Sequence, residues 1–196
     1  MNISKLIFSI LCGTLIGCGS TKPSAMRTAV PTDAFLAALS PYCGQAFTGK
    51  ITANEPAAPD DAFVGKTLTM HVRDCSAKQF KVPFHVGEDR SRTWELTAIG
   101  EQLQLKHAHR HANSELDELT DYGGITTKKS TANRAEFPVD AASKALFDRT
   151  GRQVSMRNIW ALEITQDQQF VYALTRPGRV FRVAFDLRKP LEAPKL

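Results

Sequence analysis

From Leu68 to Leu187, apolar and polar residues alternate in one short segment after another. The apolar positions are Leu68, Met70 and Val72; Phe80, Val82, Phe84 and Val86; Trp94 and Leu96; Phe137 and Val139; Trp160, Leu162 and Ile164; Phe170, Tyr172 and Leu174; and Phe181, Val183, Phe185 and Leu187. A period of two sends successive side chains to opposite faces, so each segment predicts a strand buried on one side and wet on the other. The residues between them, such as Thr69, His71, Arg73, Lys81 and His85, are polar, which suits an antiparallel sheet with one solvated face. His71 and His85 are accordingly expected at the surface. Turn residues recur at Gly87 to Arg92, Gly100, Ala112 to Ser114, Gly123 with Gly124, and Pro177 with Gly178. The expectation is a mainly β fold, an antiparallel up-and-down barrel of lipocalin or calycin type with about 8 to 10 strands, because closure removes exposed edges.

Two stretches break the alternation. Phe35, Leu36 and Leu39 share one face of a short helix from Asp33 to Ser40, with Thr32 or Asp33 as N-cap and Pro41 as its stop. A second short helix runs from Asp140, its N-cap, to Phe147.

The segment from Gly100 to Tyr122 carries the most chemistry. Leu103, Leu105, His107, His109 and His111 occupy five consecutive odd positions and share one strand face. Since the leucines belong to the core, His107 and His109 are expected to point inward, with His111 nearer the rim. A four-residue loop at Ala112 to Glu115 pairs His111 with Leu116. It sets Arg110 against Asp117 and Lys106 against Asp121 on the outer face, both favourable pairs. The same register puts His109 opposite Glu118, His107 opposite Thr120 and Leu105 opposite Tyr122.

Three readings fit this inward polar cluster. Imidazoles two apart on a strand lie roughly 6 to 7 Å apart and can converge on a divalent ion such as zinc, with Glu118 or Glu115 completing the set. The same groups can orient a small organic ligand. They can also satisfy one another as a buried His/Glu network with no ligand. The spacing of Gly100, His107, His109, Glu115 and Gly123 loosely resembles the first motif of cupins, which hold a metal with two histidines and a glutamate. Each interval departs from that pattern by one residue, and the second cupin motif is missing.

The run from Pro83 to Trp94 places Glu88, Asp89, Arg90 and Arg92 in a turn between strands. Together with Leu105 to His111 it resembles a family of secreted bacterial proteins to which no activity is assigned, a resemblance covering most of the mature domain. Arg90 and Arg92 are candidates to hold a carboxylate or phosphate beside the barrel mouth. A solvated hairpin with internal ion pairs is the plainer alternative.

The amino terminus predicts an address. Lys5 precedes an apolar run from Leu6 to Ile16, far short of the roughly 20 residues a membrane-spanning helix needs, which reads as a secretory signal. The run ends in Leu15, Ile16, Gly17 and Cys18, which resembles the lipobox of bacterial lipoproteins. That resemblance implies cleavage before Cys18 and lipid on its sulfur, with about 0.8 kcal/mol of anchoring per buried methylene. Gly19 and Ser20 lack the aspartate that retains lipoproteins in the inner membrane, so the outer membrane, with a periplasmic domain, is the expected location. The organisation is a signal peptide at 1–17, a lipidated end and polar tether at 18–32, and one barrel domain at 33–196.

Without residues 1–17 the formal charge falls from +5 to +4, and basic and acidic residues are interspersed, so nucleic-acid binding has no support. Cys43 and Cys75 remain in an oxidising compartment and predict a disulfide. There is no nucleophile motif, phosphate loop, CxxC or HExxH. The leading expectation is a non-enzymatic, membrane-anchored envelope lipoprotein whose barrel binds a small ligand or metal ion. The alternatives are a purely structural or interaction lipoprotein, and a metal-dependent hydrolase.

Overall fold

The computed structural model describes Met1 and residues 32–57 and 61–192. The signal, the lipobox with Cys18 and nearly all of the tether lie outside the described residues.

Among the described residues eleven strands form one antiparallel sheet: β1 (Ala46–Glu55), β2 (Leu68–His71), β3 (Asp74–Cys75), β4 (Gln79–Val86), β5 (Asp89–Ile99), β6 (Gln102–His109), β7 (Tyr122–Ile125), β8 (Arg134–Pro138), β9 (Ile159–Thr165), β10 (Gln169–Arg176) and β11 (Arg179–Leu191). Their order is β7-β6-β5-β4-β2-β1-β11-β10-β9-β8, with the two-residue β3 beside β4. This is a meander whose first and last strands pair, so the sheet curls into an up-and-down barrel. β1 carries little alternation and escapes the sequence pattern. Its inward position Gly49 has no side chain because the Phe185 and Val183 side chains fill that space; a Cβ there would lie 2.6 Å from the Phe185 ring.

The barrel is nearly closed at the seam between β7 and β8. A single bridge joins Gly124 to Val139, and a Cβ on Gly124 would collide with the Pro138 carbonyl oxygen. The seam is reinforced by α2 (Ala141–Arg149). Asp140 caps this helix by accepting from the Ser143 N–H at 2.8 Å, and its own N–H donates to the Gly123 carbonyl at 3.0 Å. The Gly123 N–H donates to Ser143 Oγ at 2.7 Å. Lys106 Nζ reaches Asp140 at 2.6 Å across the seam, and both side chains are largely shielded, which strengthens the pair over an exposed one.

One end of the barrel is plugged by α1 (Ala34–Leu39), whose Phe35, Leu36 and Leu39 are fully buried. Each such burial stabilises by about 1.5–3 kcal/mol. Asp33 caps the helix with one carboxylate oxygen, accepting from the Phe35 and Leu36 N–H groups at 2.8 and 3.1 Å. Its other oxygen accepts from Ser130 in the loop between β7 and β8. The Tyr42 hydroxyl accepts from the Asp167 N–H at 2.8 Å and donates within the same β9–β10 turn, and the Cys43–Cys75 disulfide ties the helix exit to β3. Both expected helices and the disulfide are therefore present.

His71 departs from the sequence expectation. It is buried, 6% exposed, rather than on a wet face, with the Gly44 backbone, just before β1, hydrogen-bonded to its ring. His85 is half-buried, and burial, then Arg90, lowers its pKa to about 4.

Candidate functional site

The end of the barrel opposite α1 holds a cavity of about 220 Å³. Its inner wall is aromatic by direct consequence of the alternation on β4, β5, β9 and β10. Phe84, Trp94 and Tyr172 stack across the barrel, with ring centroids 4.7 Å apart for the first pair and 4.6 Å for the second, and planes 20° and 7° apart. Trp160 from β9 and Phe181 from β11 continue the wall. Phe63, from the β1–β2 connection, closes over it 5.0 Å from Phe181.

His107 and His109 both line this cavity, as their strand positions predict. His107 is 4% exposed. Its Nδ1 lies 3.2 Å from the Tyr122 carbonyl oxygen, which can only accept, so Nδ1 carries the proton. Nε2 then accepts from the Tyr172 hydroxyl at 3.0 Å. Burial, partly offset by the Tyr122 carbonyl, lowers the His107 pKa to about 3, and the ring is neutral at pH 7. Its face stacks on Tyr122, 4.8 Å between centroids and 9° between planes. His109 Nε2 lies 3.1 Å from the Tyr122 hydroxyl. Its pKa is lowered too, by burial first and then by Arg92. Burial pushes the Tyr122 phenol up to about 12 and the Tyr172 phenol well above its ordinary value, so both hydroxyls are neutral, and that of Tyr172 is the donor to His107.

The predicted register of the return strand is corrected. Arg110 bridges Leu116, whereas His107 pairs with Tyr122. Asp117 to Asp121 bulge out between these two points. The Asp117 side chain accepts from the Leu119 N–H at 2.8 Å in an Asx turn, and Asp121 takes a left-handed backbone with φ of 57°. This swings Leu119 into the cavity, and Glu118 and Glu115 stay exposed with His111. The expected pairs His109 with Glu118, His107 with Thr120, Leu105 with Tyr122, Arg110 with Asp117 and Lys106 with Asp121 are not formed. Thr120 instead accepts from the His109 N–H at 2.8 Å, and Lys106 turns to Asp140. Among the described residues no three His, Cys, Asp or Glu side chains converge as a metal-binding set.

The two hairpin arginines separate. Arg90 stays outside, donating to the Gly87 carbonyl at 2.6 Å. Arg92 lines the cavity, pairs with Asp89 and places its guanidinium 5.6 Å from the Phe63 centroid. Burial opposes ionisation of Asp89, but hydrogen bonds from Ser91 and Arg92 outweigh it and hold its pKa at about 2.

Three more arginines reach the same rim: Arg152 after α2, Arg176 at the end of β10 and Arg179 at the start of β11. Arg179 is paired with Asp61 at 3.1 Å and lies over Phe181. Arg176 donates to Asn158 Oδ1 at 3.2 Å. Its pKa is lowered by burial first and then by the neighbouring Arg179. These residues were missed in the sequence because they sit at strand ends and in loops, where no period marks them. The tight Arg176-Pro177-Gly178-Arg179 turn, which brings two guanidiniums to one rim, is the signal available.

Set against known protein families, curated proteins and solved structures, the chain matches none.

Proposed function

We propose that this chain is a non-enzymatic lipoprotein of the bacterial envelope, anchored through Cys18, whose barrel binds a small organic ligand in its open end. The observation that carries the ligand reading is the aromatic cavity of about 220 Å³, floored by neutral His107 and His109 and rimmed by arginines. Apolar walls with a few convergent polar groups are the usual composition of a small-molecule site. The organic ligand is favoured over a metal ion because Glu115 and Glu118 lie outside and, among the described residues, leave the histidines without a third donor. The lipid anchor rests on the lipobox-like Leu15 to Cys18 and on the polar tether after it.

The two halves of the proposal are tested separately. Radiolabelled palmitate should enter the protein and be lost in Cys18→Ser, which should also leave the outer-membrane fraction; unchanged membrane association without label would refute the anchor. Native mass spectrometry of lipidated protein, extracted from its envelope in a non-aromatic detergent, should show an additional small organic mass released on activation. A species that carries only its acyl chains and takes up no organic probe would favour the second reading, a structural lipoprotein. That reading draws on the fact that every buried polar side chain among the described residues already has a partner.

A further inference from the structure

We infer that the cavity takes a small organic anion: a single ring carrying a carboxylate, the ring among the aromatic walls and the carboxylate at the arginine rim. This rests on the reading of the cavity as a ligand site and goes beyond it by naming the chemistry.

The first ground is charge. Among the described residues four guanidiniums line the cavity, from Arg92, Arg152, Arg176 and Arg179, and no carboxylate does. Asp89 and Asp61 reach Arg92 and Arg179 from outside the lining. Among the described residues Arg152 and Arg176 have no carboxylate partner, and Arg176 has only the neutral Asn158 oxygen. A half-buried guanidinium beside a second one is an unfavourable arrangement that an anion relieves. Guanidinium forks match the planar carboxylate with paired hydrogen bonds.

The second ground is the floor. His107 is neutral, with its single N–H spent on the Tyr122 carbonyl and its Nε2 occupied by Tyr172. It therefore offers no competing positive charge, and the charge-bearing end of a ligand belongs at the rim. The third ground is size. A dry cavity of roughly 150 Å³ accepts benzene, so the space here suits one ring with a short substituent. The aromatic lining, with Trp94, Trp160, Tyr172 and Phe181, suits an apolar ring.

Isothermal calorimetry of the mature lipidated protein in lipid nanodiscs tests this with three probes of one shape: phenylacetate, its neutral amide phenylacetamide, and the cation phenethylamine. Phenylacetate should bind about tenfold or more tighter than the amide, the minimum expected of one charge-assisted fork, and the amine should not bind measurably. In Arg152→Gln with Arg176→Gln the acid should weaken to the amide's affinity while the amide's own affinity stays put and the unfolding midpoint does not fall. Equal affinity of acid and amide for the unaltered protein would overturn the anion inference but leave the ligand cavity standing. No binding by any probe would overturn both. A parallel loss of acid and amide in the double variant would make the arginines supports of the fold and overturn the inference.

Discussion

His107 Nε2 accepts a hydrogen bond from the Tyr172 hydroxyl at 3.0 Å, joining β6 to β10 through the middle of the barrel. Because the other ring nitrogen is committed to the Tyr122 carbonyl, the imidazole is held in one tautomer. Tyr172→Phe therefore strands a buried acceptor and should cost about 1–3 kcal/mol. His107→Leu alone strands the Tyr172 hydroxyl at a similar cost. The double variant should cost clearly less than the two single losses together, and a denaturant-unfolding cycle measures that coupling. Additive losses would show that the two groups do not interact.

The neutral state of His107 makes the fold acid-sensitive. Its pKa is about 3 when folded against about 6.5 unfolded, so in that interval the unfolded chain binds the proton first. Stability is then full above about pH 6.5 and falls as pH drops toward 3, with a limiting slope of about 1.4 kcal/mol per pH unit. His85, at about 4 in the fold, contributes in the same direction. The urea midpoint should be lower at pH 5 than at pH 7, and His107→Gln should flatten that dependence in part. A midpoint unchanged by both would refute the buried neutral imidazole.

At the seam, Gly124 permits an approach to Pro138 that no side chain allows. Gly124→Ala should cost about 2 kcal/mol or more, as forced overpacking does. It should also speed hydrogen exchange at the Gly123 and Asp140 amides, whose bonds cross the seam. Slow exchange there in the variant would mean the barrel does not depend on this closure.

The Cys43–Cys75 disulfide encloses a segment with a sequence separation of 32. Replacing both cysteines by serine should lower unfolding stability by about 3–4 kcal/mol on the loop-entropy estimate, and reduction of the natural protein should give the same loss. A midpoint unaffected by reductant would contradict this.

The barrel was legible in the sequence because seven of its strands carry bulky residues at every second position. Both helices were legible too, since Asp33 and Asp140 are N-caps of ordinary type. β1 was not, because Gly49 leaves an inward slot to Phe185. The inward direction of His107 and His109 followed from the leucines before them. Their partners did not follow, since an Asx turn at Asp117 inserts residues that a uniform ladder omits. That local irregularity replaces Glu118 by Leu119 in the cavity and changes the site from a metal-like cluster to an aromatic one. The rim arginines come from three separate turns, and only the closed barrel brings them together.

The central claim is that the open end of the barrel is the binding site, and side-chain NMR reports on it directly. With isotope-labelled histidine, tryptophan, tyrosine and arginine, titration with phenylacetate should shift His107, His109, Trp94, Trp160, Tyr172 and Arg176, and leave His71 and His85, which do not line the cavity, unmoved. Shifts concentrated on His71 and His85, or none at saturating probe, would contradict the account.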